Sequence, residues 1–211
     1  MRVATLLTLP LVFLFASFAF GQPPAAEPAA DAPSDVASLF QFGSTEWMIT
    51  VGPAWGIGLF HSIPGHNYLL TSASWGRILT EPKGPDVMRG RFQWAFEVVP
   101  IYAQYAPDNT YGVGFTPIVW RWNLEPRGRV SSYVELAGGT LFTRDSVPRG
   151  TTSANFTAHL GYGIRYFLRA RQAVVASYRF HHISNGNRLE QNPGVNAHVF
   201  QFGWTLMRPR P

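Results

Sequence analysis

Asn155-Phe156-Thr157-Ala158-His159-Leu160-Gly161-Tyr162-Gly163-Ile164-Arg165-Tyr166 is the stretch that decides the fold. Phe156, Ala158, Leu160, Tyr162, Ile164 and Tyr166 share one parity, and Asn155, Thr157, His159, Gly161, Gly163 and Arg165 share the other. A period of two is the signature of a strand, whose successive side chains point to opposite faces. In a soluble sandwich such runs are shorter, nearer about five or six residues, and their apolar face is mostly aliphatic. Here the run is long and its apolar face is rich in aromatics. A strand tilted across a bilayer needs about nine to eleven residues, with apolar side chains toward lipid and small or polar ones inward.

The same pattern extends along the chain. Phe92, Trp94, Phe96 and Val98 oppose Arg91, Gln93, Ala95 and Glu97, and Phe200, Phe202, Trp204 and Leu206 oppose Gln201, Gly203 and Thr205. Eight runs are expected, at 46–59, 67–80, 90–105, 111–124, 129–143, 154–168, 172–184 and 196–207, of which the second, fourth and fifth alternate less cleanly. Turn residues separate them, as in Glu81-Pro82-Lys83-Gly84-Pro85-Asp86 and Glu125-Pro126-Arg127-Gly128. The fold class is therefore all-β, an eight-stranded antiparallel transmembrane β-barrel. An even strand count lets both termini sit in the periplasm, and closure leaves no unpaired edge in hydrocarbon. At this strand number side chains fill the interior, so solute conduction is not expected.

Composition agrees. Of 211 residues, 46% are hydrophobic, 15% aromatic and only 14% charged, and there is no cysteine, which excludes disorder, disulfides and thiolate chemistry. The net charge is +5, and every basic residue except Lys83 is arginine. The arginines lie singly or in pairs with no basic helix, so nucleic acid is not an expected partner. Their planar forks suit lipid phosphates, although a genome-wide preference for arginine over lysine explains the count equally well. Met1-Arg2 followed by an apolar core and small residues near Gly21 reads as a signal peptide over 1–21. Residues 22–40, rich in Pro and Ala, read as a linker, and 41–211 as a barrel in the outer membrane.

Chemistry concentrates near the end of the chain. On the seventh run Val174, Ala176, Tyr178, Phe180, His182 and Ser184 share the lipid-facing parity, which puts His182 and Ser184 on the outer wall at the extracellular strand end. With residues 185–195 as a loop in simple antiparallel register, Asn196 is expected opposite Ser184 and His198 opposite His182. A serine and a histidine two residues apart on one strand face meet the minimum for an activated hydroxyl nucleophile. The bland alternative is an interfacial histidine beside a turn-opening serine.

His182-Ile183-Ser184-Asn185, followed by Asn192-Pro193-Gly194-Val195-Asn196 and a last amphipathic run, resembles the signature of the PagL-type lipid A 3-O-deacylases, also grouped as acyloxyacyl hydrolases. The resemblance implies a lipid-facing site that hydrolyses an ester-linked acyl chain, at the 3-O position, of the lipid A of lipopolysaccharide in the outer leaflet. By position, Ser184 becomes the nucleophile, His182 the base, and Asn185 and Asn192 amides beside the oxyanion. Where the family places a glutamate that orients the histidine, this chain has Asn196; Glu190 is the alternative acid. A glutamate at 196 is expected to speed the reaction if Asn196 holds that place.

No cofactor or metal is expected. His61, His66, His181, His182 and His198 have no diagnostic ligand spacing. Glu97, Glu135, His159, Arg165 and Arg179 are expected to form a polar plug inside the barrel. Two rival readings stand beside the esterase: a non-catalytic structural or adhesin-like barrel, and a phospholipase of related architecture. A monomer and a homodimer are both compatible with the sequence.

Overall fold

The computed structural model describes residues 36–190 and 192–210; the signal peptide read at 1–21 and the linker as far as residue 35 lie outside them. The last residues of that expected linker, Val36–Phe40, form a 3-10 helix instead. Val36, Leu39 and Phe40 recur at the spacing of one helical face, and they bury against Ile78, Phe167, Ala173 and Met207 at one end of the barrel.

Eight strands follow: β1 (Thr45–Ile57), β2 (Asn67–Ile78), β3 (Gly90–Ala106), β4 (Thr110–Leu124), β5 (Val130–Thr143), β6 (Ala154–Arg169), β7 (Gln172–Ser184) and β8 (Val195–Arg208). Each boundary falls within two residues of the run read from sequence. The strands close in chain order, β8 pairing antiparallel with β1. Both ends of the described chain lie with the turns 79–89, 125–129 and 170–171, which by the rule for outer-membrane barrels face the periplasm. The loops 58–66, 107–109, 144–153 and 185–194 face outside.

The uneven alternation of β4 has a physical cause. Thr110 and Thr116 point inward, but beyond Pro117 the inward residues are Val119, Arg121 and Asn123, so the parity reverses. Pro100 does the same to β3, where Glu97 and Val99 face inward before it and Tyr102 and Gln104 after it. Proline has no N–H to give a ladder, and the pairing register slips at both places.

The interior is a charged lattice at its centre. Arg165 holds Glu46 through two bonds of 2.6 and 2.8 Å, Arg121 lies 3.4 Å from Glu46 and 2.8 Å from Glu135, and Arg179 binds Glu135 at 2.8 Å and Glu97 at 2.7 Å. His159 sits 3.3 Å from Glu135. The expected plug is thus present, and Glu46 and Arg121 join it. Buried charges survive because each finds partners in the same dry interior. Gly163 makes room, since the Tyr133 ring occupies the space its Cβ would need.

Candidate active site on the outer wall

His182 and Ser184 end β7 with partly exposed side chains on the outward parity, alternating with the buried His181, Ile183 and Asn185. The cross-strand partners differ from expectation by two residues. His182 faces Asn196 and Phe180 faces His198, whereas Asn196 was expected opposite Ser184 and His198 opposite His182. The reason is the end of the loop. Gly194 turns the chain at φ +66°, and β8 is already paired at Val195. A Cβ at Gly194 would lie 3.0 Å from His182 Cε1, so the imidazole packs on bare backbone. A slip of two keeps every residue on its face, which is why the outward assignment survives.

The shift brings His182 Nδ1 within 2.6 Å of Asn196 Oδ1. The other end of the amide is committed as well: Asn196 Nδ2 donates to the Leu59 carbonyl at 2.6 Å. A carbonyl only accepts, so the nitrogen must face Leu59 and the oxygen must face the histidine. Nδ1 of His182 therefore carries a proton, and in the neutral ring it is Nε2 that keeps the lone pair. This is the tautomer a general base needs.

Leu59 reaches the site from the β1–β2 loop, which is stitched to the β7–β8 loop by Ile63 N–H donating to Gly194 O at 3.1 Å. The turn behind Leu59 holds two consecutive non-glycine residues in the left-handed region, Phe60 at φ 53° and His61 at φ 63°. Such backbone costs about 1–3 kcal/mol per residue and persists where its surroundings over-determine it. Ser62 closes the turn by donating its hydroxyl to Ile57 O at 2.8 Å and accepting the Leu59 N–H at 3.1 Å.

The remaining expected residues divide. Asn192 braces the loop, accepting the Asn185 N–H on Oδ1 at 3.0 Å and donating Nδ2 to Asn187 Oδ1 at 3.0 Å. Asn185 is buried, at 1% exposure. Glu190 is exposed and forms no ion pair with His182 among the described residues. No hydrogen bond joins Ser184 to His182 among the described residues. His198 Nδ1 pairs with the Tyr178 hydroxyl at 2.7 Å, on the wall two residues below Asn196. Of the other histidines raised as ligands, His66 bonds Gln104 and His181 bonds Tyr68 inside the barrel. No group of three potential metal ligands converges among the described residues.

Two contributors had no sequence signal that singled them out. Leu59 acts through its backbone carbonyl, 137 positions from Asn196. Arg188 donates Nε to Asn185 O at 3.0 Å and Nη2 to Ala154 O, and its guanidinium lies 5.1 Å over the Phe156 ring. Phe156 in turn stands opposite Ser184, and Ala158 stands opposite His182. A single small residue thus separates Phe156 from Leu160 beside the histidine.

Residues 83–205 match the family described as lipid A 3-O-deacylase (PagL). Among solved structures, the crystal structure of the outer membrane enzyme PagL aligns with a TM-score of 0.51 and 14% identity over 75% of this chain and 97% of that one. Neisserial surface protein A aligns with a TM-score of 0.49 and 13% identity, over 80% and 99% of the two chains. OprG from Pseudomonas aeruginosa gives 0.46 and 10%, over 80% and 97%. No curated protein sequence matches the chain. At these identities the structural likeness concerns the eight-stranded fold.

Proposed function

The chain belongs to the lipid A 3-O-deacylase (PagL) family of the outer membrane, and from that membership we propose that it hydrolyses the ester-linked acyl chain at the 3-O position of lipid A, with Ser184 as nucleophile and His182 as base. The observation that carries this reading is the 2.6 Å bond from His182 Nδ1 to Asn196 Oδ1, which in the neutral ring assigns the lone pair to Nε2, on the same wall as Ser184.

In the reaction Ser184 rotates about χ1 to meet Nε2, a contact that in unliganded enzymes commonly tightens only with substrate. Nε2 takes the hydroxyl proton, Oγ attacks the ester carbonyl, and the sugar oxygen leaves with that proton. Water then attacks the acyl-enzyme, again through Nε2, and frees the fatty acid and the serine. Asn196 holds the imidazole without adding a full negative charge. The side-chain amide of Asn185, next to the nucleophile in the chain but buried and inward-facing in the free barrel, turns outward with the loop to receive the oxyanion. The acyl chain follows the outer wall past Ala158, where small bulk beside His182 leaves a path between Phe156 and Leu160.

The test is mass spectrometry of lipid A from cells with and without the protein. Loss of one ester-linked acyl chain supports the reading, and a released chain from phospholipid alone favours the phospholipase. Unchanged lipids with a folded barrel favour a non-catalytic role.

A further inference from the structure

The arginine excess noted in the sequence has a location. Exposed basic residues stand on all three periplasmic turns and the strand ends beside them: Arg77 is the penultimate residue of β2, Lys83 lies in the β2–β3 turn, Arg129 in the β4–β5 turn, Arg169 and Arg171 flank the β6–β7 turn, and Arg208 ends β8. Among the described residues the exposed acids at this end are Glu81 and Asp86. Glu125 is half-buried and engaged by Arg89 and Arg91, at 3.8 and 3.0 Å. Arg77, Arg129, Arg169, Arg171 and Arg208 have no carboxylate partner among the described residues. The extracellular rim is balanced instead, with Arg144, Arg149 and Arg188 against Asp108, Asp145 and Glu190.

Tryptophan marks the same end. Of the seven, all except Trp55 lie in the periplasmic half of their strands. Trp94 pairs directly with Arg77 across β2–β3, and its ring meets Trp75 edge-on at 6.3 Å. An aromatic belt sits at a membrane interface, so the basic residues just beyond it stand at the depth of the headgroups.

We propose that this ring binds the headgroups of anionic glycerophospholipids in the periplasmic leaflet. A ring, occupied on all three turns and beside both chain ends, fits a lipid annulus, whereas a protein partner would meet one side of the barrel. Exposed guanidinium forks bind phosphate oxygens in pairs. The ring also fixes depth. Arg171 immediately precedes Gln172, the first residue of β7, and Ser184 is the last of its 13 residues. At a rise of ~3.3 Å and a tilt of ~40° such a strand spans roughly 33 Å, close to the hydrocarbon thickness. Holding Arg171 at the inner headgroups therefore sets Ser184 at the outer boundary of the hydrocarbon.

The experiment is native mass spectrometry of the folded full-length protein in detergent with equimolar phosphatidylglycerol and phosphatidylcholine. The wild type is expected to retain phosphatidylglycerol preferentially, and the combined variant Arg77→Gln/Arg129→Gln/Arg169→Gln/Arg208→Gln to lose that preference. Each basic residue near an anionic surface is worth about a fivefold change, so the combined loss should exceed tenfold. Arg144→Gln/Arg149→Gln, at the opposite rim, should retain phosphatidylglycerol as the wild type does. Should the fourfold variant fail to fold, Arg169→Gln/Arg171→Gln and a salt titration of the wild type read the same contact, and retention should fall in both. Equal retention of the two lipids by the wild type, an unaltered preference in the ring variants, or an equal loss in the opposite-rim control overturns the proposal. Selective capture of an acidic periplasmic protein without any phosphatidylglycerol preference overturns it too.

Discussion

Asn196 donates its amide nitrogen to the Leu59 carbonyl, and that bond decides which end of the amide meets His182. Because the donor is committed to a backbone acceptor, the histidine receives an oxygen and is held with its proton on Nδ1. An asparagine thus performs the orienting part of an acid's work. The charge-stabilising part is missing.

The first expected outcome concerns the pair itself. Ser184→Ala and His182→Ala should each lower lipid A deacylation by at least about 10³-fold, and the double variant should be no slower than either, because residues acting as one unit are strongly non-additive. Both side chains lie on the outer wall, so the barrels should stay folded and heat-modifiable on gels. Full activity in Ser184→Ala would sink the assignment.

The second reverses what sequence suggested for position 196. A carboxylate there would set an anionic oxygen against the Leu59 carbonyl, where the amide nitrogen now lies at 2.6 Å. Losing a buried hydrogen bond and gaining that repulsion costs about 1–3 kcal/mol, against a gain limited to imidazolium stabilisation, since the tautomer is already correct. Asn196→Asp should therefore slow the reaction by about tenfold, and Asn196→Glu should not accelerate it. Glu190→Gln should stay within about twofold of wild type, Glu190 being exposed and Nδ1 already engaged. Rates measured on purified lipid A decide both; a large loss in Glu190→Gln would move the orienting role to Glu190.

Third, the two loop amides should separate. Asn185→Ala should cost about 10²–10³ in kcat if it receives the oxyanion. Asn192→Ala removes a brace between Asn185 and Asn187 and should act more mildly, raising KM as the loop loosens. Equal effects on kcat would mean that both act through loop structure.

Fourth, Glu46→Gln should lower the temperature of heat modification markedly while leaving the outer wall in place. It weakens the hold on Arg165 and Arg121 together, and breaking a buried ion network costs about 3–5 kcal/mol. Arg144→Ala, exposed at the extracellular rim, is the control and should change little.

What could be read from sequence followed from periodicity. Phe156 through Tyr166 report the lipid face directly, because alternation and facing are the same fact, and the eight strands came with it. Register is a different quantity. Hydropathy repeats every two residues, so a slip of two leaves no trace in the pattern, and the pairing of His182 with Asn196 needed the turn at Gly194. Pro100 and Pro117 were visible as letters, but the parity reversals they impose emerge only where the ladder is built. Glu46 and Arg121 become legible as a pair only once β1 and β4 face each other across the interior. Leu59 is beyond any side-chain pattern, because its contribution is a main-chain oxygen.

The stitch between the first loop and the last has a consequence for timing. Leu59 follows β1, His182 and Asn196 belong to β7 and β8, and β1 meets β8 only at the closing seam. A chain in transit, or a sheet not yet closed, holds every residue of the proposed site and lacks the bond that fixes the tautomer. On the proposed reading, hydrolytic competence is the last event of assembly, and closure itself serves as the safety catch that secreted hydrolases obtain from a removable pro-segment.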